Sequence, residues 1–144
     1  MTARPIVRLK ELRALRETRA RVRLGMANHE QIRLEEDRDR ALSAARVVEA
    51  ELPERKQNAV RAVLAEGANP ATLARMSLQY QIGQADLVTA LRNAAQLKRQ
   101  AEQQQILTSK ARQEWSERAK DVVKLDILID RDARTARKSD ESAA

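Results

Sequence analysis

The feature that most constrains the fold is a helix stop followed at once by a helix start, in the segment Glu66-Gly67-Ala68-Asn69-Pro70-Ala71-Thr72. Gly67 suits the left-handed position that ends a helix, Asn69 suits the cap of the next helix, and Pro70 fits its first turn. Helical periodicity extends away from this segment in both directions. The sequence therefore predicts two long helices folded back on one another.

The predicted fold is all-α, a long two-helix antiparallel coiled-coil hairpin. We expect helix 1 at about residues 6–66, the turn at 67–70 and helix 2 at about 71–132. Residues 133–144 lack apolar periodicity, which predicts a frayed or disordered tail. The composition agrees, because 34% of the residues are charged and the 144 residues include no Phe, one Trp and one Tyr. Such a chain cannot build a globular core.

Helix 1 has apolar residues at coiled-coil spacing in two stretches. The first stretch contains Leu12, Leu15, Val22 and Met26, with Arg19 at the missing position. The second contains Ala41, Ala45, Val48, Leu52, Ala59 and Val63. Pro53 interrupts the second stretch, and a proline inside a helix removes one backbone hydrogen bond. We therefore expect a kink or a short break at this proline.

Helix 2 has a longer apolar seam, in which eleven of fifteen positions spaced three and four apart are apolar. The fifteen positions are Tyr80, Gly83, Leu87, Ala90, Ala94, Leu97, Ala101, Gln104, Thr108, Ala111, Trp115, Arg118, Val122, Leu125 and Ile129. A tight turn between Ala68 and Asn69 places residue i opposite residue 137 minus i. The predicted pairs across the two helices are Leu12 with Leu125, Leu15 with Val122, Val22 with Trp115, Met26 with Ala111, and Leu52 with Ala85.

The charge is concentrated near the start of the chain. Residues 4–23 include eight basic residues against two acids, whereas the whole chain has a formal charge of +7. A basic end favours an acidic or phosphate-bearing partner. Because the chain has no aromatic stacking platform and no nucleic-acid recognition motif, we expect a protein partner rather than nucleic acid.

No constellation of residues points to catalysis. The chain has no Cys, its single His29 lacks the partners of a triad or a metal site, and its three glycines are too far apart for a phosphate loop. We therefore predict that the protein is not an enzyme and binds no cofactor or metal. No apolar signal region or membrane span is evident, so we expect a cytoplasmic location.

Two aromatic residues admit two interpretations each. Trp115 is predicted to be a core anchor opposite Val22, near enough to Arg19 for a cation–π contact, and a ligand-binding role is the less favoured reading. Tyr80 lies near the turn together with Leu73, Met76 and Leu78. This apolar surface either closes the hairpin or binds a partner.

Several of these features occur together in one known family. The basic segment at residues 9–17, Leu-Lys-Glu-Leu-Arg-Ala-Leu-Arg-Glu, is followed by a proline before the turn, a short turn and a long returning helix with a late Trp. This pattern resembles the FliJ/YscO family, the central-stalk proteins of type III secretion and flagellar export systems. The resemblance covers nearly the whole chain. The low number of aromatic residues near the turn favours the YscO-like branch.

The resemblance implies a role at two ends of the hairpin. The end that carries both termini would bind the hexameric secretion ATPase, and the turn end would bind the export gate protein or export chaperones, which such proteins escort. The protein would be peripheral to the membrane through its partners only. Carried onto this chain, the ATPase-binding residues are Arg8, Arg13, Arg16, Arg19, Arg23, Val122 and Leu125, and the residues of the turn end are Leu64, Leu73, Met76 and Tyr80.

Two other classes of function remain open at the level of sequence. A homodimeric structural coiled-coil adaptor predicts twice the monomer mass in light scattering. A basic nucleic-acid-binding coiled coil predicts retention on DNA or RNA that falls steeply with salt.

Overall fold

The chain forms two helices, α1 at Ala3–Glu66 and α2 at Pro70–Ala143, in a computed structural model that describes residues 3–67 and 69–143. The helices pack against each other as an antiparallel hairpin, and the described residues include no strand. Contacts divide the chain into two compact units. We call Met1–Glu30 with Gln105–Ala144 the termini unit and Gln31–Gln104 the turn unit. The all-α hairpin predicted from the sequence is confirmed.

The turn has the local structure that its residues favour. Gly67 adopts a positive φ of 82°, which an L residue with a side chain rarely takes. The Asn69 side-chain oxygen accepts a hydrogen bond from the Ala71 N–H at 3.2 Å, and its carbonyl accepts one from the Leu73 N–H at 3.0 Å. Asn69 is therefore the N-cap of α2, with Pro70 at the first helical position. Ala68 lies outside the described residues.

Small side chains form the interface in the turn unit. Its buried apolar residues are Leu34, Ala41, Ala45, Ala94 and Ala101. Gly83 brings the backbones close, since a Cβ placed there would lie 3.0 Å from Cδ2 of Leu52. Each of the six residues predicted for the second stretch of α1, from Ala41 to Val63, is buried or half-buried. That part of the seam is confirmed.

The predicted break at Pro53 is wrong, because α1 is helical on both sides of this residue and through it. Pro53 is exposed, so its ring lies away from α2. A helix tolerates the missing hydrogen bond when packing on both sides holds it in place, and Leu52 and Ala59 provide that packing here. The kink stays a prediction.

The seam predicted for the first stretch of α1 is wrong. Leu12, Leu15, Val22 and Met26 are all exposed, from 43% for Leu12 to 69% for Met26. The residues that face α2 in the termini unit are instead Arg13, Glu17, Ala20, Leu24 and Ala27, among which Ala20 is only 1% exposed.

The physical reason is the continuity of the helix. Stepping back from Ala41 by three and four residues leads to Leu34, Ala27 and Ala20, all on one stripe. The large apolar residues lie on another stripe, and an unbroken helix cannot exchange one stripe for the other. Alanine also permits close approach of the two backbones. The four large residues are thereby left on the outer face.

The seam of α2 is confirmed over almost its whole length. Fourteen of the fifteen predicted positions are buried or half-buried, and Tyr80 is 40% exposed. The predicted end of this helix at residue 132 is wrong, because α2 continues to Ala143. Every side chain from Arg131 to Ala143 is exposed. This segment contains no Gly or Pro, and seven of its thirteen residues are Ala, Arg or Lys, so it stays helical without an apolar seam.

Contacts within each unit keep the predicted antiparallel order, with paired residue numbers that sum to between 132 and 141 around the predicted 137. In the termini unit, Arg23 pairs with Glu114, whose numbers sum to 137, and Lys10 pairs with Asp126, whose numbers sum to 136. In the turn unit, Leu52 lies against Gly83 rather than the predicted Ala85. The register therefore follows from the turn, even though the apolar pairs predicted for Leu12, Leu15, Val22 and Met26 are wrong because those residues face outward.

Candidate partner-binding surfaces

The five arginines predicted to bind the ATPase divide into two groups. The Arg13 guanidinium is half-buried and donates a hydrogen bond to the Asp121 carbonyl at 3.1 Å. Arg23 is exposed and pairs with the Glu114 carboxylate at 2.9 Å. These two arginines join α1 to α2. The remaining three, Arg8, Arg16 and Arg19, are exposed and have no partner among the residues that the structure describes.

The charge of the termini unit favours an acidic partner. This unit contains 17 basic and 11 acidic residues, a net charge of +6, whereas the turn unit contains 11 and 10, a net charge of +1. Fields from like charges add over a Debye length of about 8 to 10 Å. The three unpaired arginines are therefore the strongest candidates for contact with carboxylates or phosphates.

Two other residues of the predicted ATPase-binding set lie in the hairpin interface. Leu125 is only 6% exposed, and Val122 is half-buried. A side chain so enclosed offers almost no area to a second protein. Leu125 therefore stabilises the termini unit, and its burial disfavours a contact role, which stays a prediction.

Trp115 is half-buried in the termini unit, as predicted for a core anchor. Its indole Nε1–H donates a hydrogen bond to Oε1 of Glu17 at 3.1 Å. Glu17 lies on the same stripe as Ala20 and Leu24, which the spacing of the large apolar residues does not reveal. The cation–π contact with Arg19 stays a prediction.

The outer face of α1 in the termini unit carries an exposed row of residues spaced three and four apart. We call it the outer stripe, and its members are Arg8, Leu12, Leu15, Arg19, Val22, Met26 and His29. It has the periodicity of a coiled-coil seam, but it lies on the face of α1 away from the buried stripe of Ala20 and Ala27. The spacing of the apolar residues predicts this row, but it does not determine whether the row faces α2 or lies away from it.

The residues predicted at the turn end come together only in part. Met76 and Tyr80 line a groove of about 320 Å³ with Arg55, Asn58, Ala59, Gln79 and Ile82. Leu64, which is 79% exposed, and Leu73 lie outside that lining. The groove and the exposed leucines give the turn unit apolar surface for contact with a partner.

The described residues contain no group of three or more His, Asp or Glu side chains placed to hold a metal ion. Within the same residues, neither helix has an apolar stretch of the length and hydropathy that a membrane span requires. The exposed groups on the two surfaces are guanidinium groups and apolar side chains at helical spacing.

Comparison of the chain with protein-family models, with curated proteins and with solved structures gives no match.

Proposed function

We propose that the protein is a central-stalk component of a type III secretion system, which binds the hexameric secretion ATPase through its termini unit. In this role the turn unit contacts the export gate protein, and the protein links the ATPase to the gate and escorts export chaperones at the cytoplasmic face of the apparatus. The proposal rests on the resemblance to the FliJ/YscO family. The all-α hairpin and the basic termini unit support it.

The observation that carries the ATPase contact is the set of three unpaired arginines. Arg8, Arg16 and Arg19 are exposed on α1 and engage no acid of the hairpin among the described residues. Arginines with free guanidinium groups bind carboxylates through two parallel hydrogen bonds. They support binding to acidic side chains of an ATPase ring.

Binding of this kind would act through assembly. A protein that binds only the assembled ATPase hexamer raises the population of that hexamer by mass action. The expected activity is therefore stimulation of ATP hydrolysis at ATPase concentrations where the hexamer is only partly formed.

The proposal is tested by reversing the three charges in the triple variant R8E/R16E/R19E. We expect this variant to lose stimulation of the secretion ATPase from the same organism, because six units of charge change at the proposed contact. Arg13 is left in place because it holds α1 to α2. Circular dichroism checks that the variant keeps its helicity.

A matched control changes the same charge elsewhere in the termini unit. R112E/R134E/R137E alters three exposed arginines of α2 and is expected to keep most of the stimulation. Full stimulation by R8E/R16E/R19E would reject the proposed contact. Equal loss in both triple variants would show that overall charge, and not this surface, determines binding.

A further inference from the structure

The outer stripe is a second coiled-coil seam that α2 does not cover. Its four apolar members, Leu12, Leu15, Val22 and Met26, are each at least 43% exposed, whereas the interface with α2 uses Ala20 and Ala27. In a two-helix hairpin the larger apolar residues normally occupy the interface. Here alanines occupy the interface and the four large residues lie outside it. One face of α1 is therefore left with the apolar spacing that packs against another helix.

The charges at the stripe define the chemistry of that helix. Arg8 and Arg19 lie in the stripe itself, and Arg16 lies beside it, all three without a partner among the described residues. A helix packed against the apolar members brings its own flanking and central positions next to these guanidinium groups. Acidic residues at those positions would form charge-assisted hydrogen bonds, and basic residues would be repelled.

A second copy of the chain does not fit this face. The stripe is centred on Arg19, so an antiparallel pair that sets Leu12 against Met26 also sets Arg19 against Arg19 and leaves Leu15 one residue out of line with Val22. A parallel pair in register likewise places Arg19 of one copy opposite Arg19 of the other. Like charges at a central position of a coiled-coil seam disfavour that pairing.

We propose that the outer stripe binds one acidic amphipathic helix of a partner protein, with its apolar residues against Leu12, Leu15, Val22 and Met26 and a carboxylate opposite Arg19. The inference deepens the proposed function, on which it rests for the identity of the partner protein but not for the chemistry of the face. In this contact of three helices, the arginines occupy defined polar positions beside the apolar residues.

The test uses a synthetic helical peptide of about three heptads, roughly six turns, with Leu at the seam positions, Glu at the flanking positions and one central Glu to meet Arg19. Fluorescence anisotropy with the full chain is expected to show saturable binding. The double variant L15S/V22S is expected to weaken binding by at least about tenfold, a loss typical of central apolar contacts. The control V47S/V60S, which changes two exposed valines of the turn unit, is expected to bind normally.

A charge exchange tests the central contact. R19E is expected to lose the Glu peptide and to bind a peptide with Lys at the central position, because the exchange restores opposite charges. Equal binding of both peptides by the unaltered chain, or normal binding by L15S/V22S, would overturn the inference.

Sedimentation equilibrium addresses the second copy as an alternative occupant. The unaltered chain is expected to be monomeric, and R19L is expected to dimerise because it replaces the opposing charge by an apolar residue. An unaltered chain that forms a dimer and becomes monomeric in L15S/V22S would overturn the inference.

The two proposals fail separately. Peptide binding by a chain that does not stimulate the ATPase would keep the helix-binding face and reject the ATPase as partner. Stimulation that persists in L15S/V22S would reject the helix contact and keep the arginine contact of the proposed function.

Discussion

The two units of the hairpin hold their helices together by different means. In the turn unit, Ala41, Ala45, Ala94 and Ala101 are buried, and Leu52 lies against Gly83. In the termini unit, polar groups cross between the helices, among them the Trp115–Glu17 hydrogen bond and the Arg13 bond to the Asp121 carbonyl. Alanines are therefore buried in both units, and the termini unit adds three part-buried hydrogen bonds between α1 and α2 that fix its register.

The difference has a bearing on binding. Hydrogen bonds such as that from the Thr108 hydroxyl to the Ala27 carbonyl, at 3.2 Å, help to secure α1 to α2 at positions where α1 carries alanine. The large apolar residues of α1 in this unit are consequently available on the outer stripe. In the turn unit, the predicted seam residues Ala41, Ala45, Val48 and Leu52 are buried or half-buried, whereas Val47 is exposed.

The largest expected effect is on the fit at Gly83. Replacing Gly83 by Leu puts a Cβ 3.0 Å from Leu52 Cδ2 and adds further atoms, so we expect a loss of about 1 to 3 kcal/mol of unfolding free energy from overpacking. Gly25→Leu is the matched control, since a Cβ there meets nothing within 4 Å. The control is expected to gain about 0.5 to 1 kcal/mol from helix propensity.

Chemical denaturation followed by circular dichroism measures both glycine variants. If Gly83→Leu proves as stable as Gly25→Leu, close approach of the helices is not what stabilises the turn unit.

An intermediate effect is expected at Trp115. Trp115→Phe keeps an aromatic ring and removes the indole N–H that donates to Glu17, and we expect a loss of about 1 kcal/mol of unfolding free energy. A double-mutant cycle with Glu17→Ala isolates the bond. A coupling energy of zero in that cycle would show that the Trp115–Glu17 hydrogen bond does not stabilise the termini unit.

The smallest effect is expected at the Arg23–Glu114 ion pair. Its two side chains are 62% and 40% exposed, and such pairs contribute about 0.2 to 1 kcal/mol. Arg23→Ala should therefore lower the unfolding free energy by that amount at low salt, and by less in 1 M KCl because salt screens the attraction. A loss that is independent of salt would indicate that the arginine stem, and not its charge, stabilises the unit.

The sequence was sufficient for the features set by local chemistry. Gly67, Asn69 and Pro70 determine the turn because each has a backbone preference of its own, and the turn then determines the antiparallel register. The seam of α2 was likewise predictable, because no second row of apolar residues competes with it over residues 83–129.

The face of α1 was not predictable from spacing alone. Leu12 and Val22 belong to one row and Ala20 and Ala27 to another, and counting by size favours the larger residues although the alanines face α2. Polar residues that face α2, such as Glu17, are likewise not identified by the spacing of apolar residues. At the surfaces, exposure of Arg8, Arg16 and Arg19 agrees with a binding role, whereas Leu125 is enclosed in the seam.

The order of the contacts along the chain has a consequence for biosynthesis. The Glu66–Arg75 contact joins residues nine apart, whereas the Arg13–Asp121 contact joins residues 108 apart. At a translation rate of about 5 to 20 residues per second, Arg13 waits roughly 5 to 20 seconds for its partner to be made. During that interval the alanine row of α1 is uncovered on the nascent chain. Newly synthesised α1 therefore exposes two apolar faces, the alanine row and the outer stripe, whereas the finished hairpin covers the alanine row.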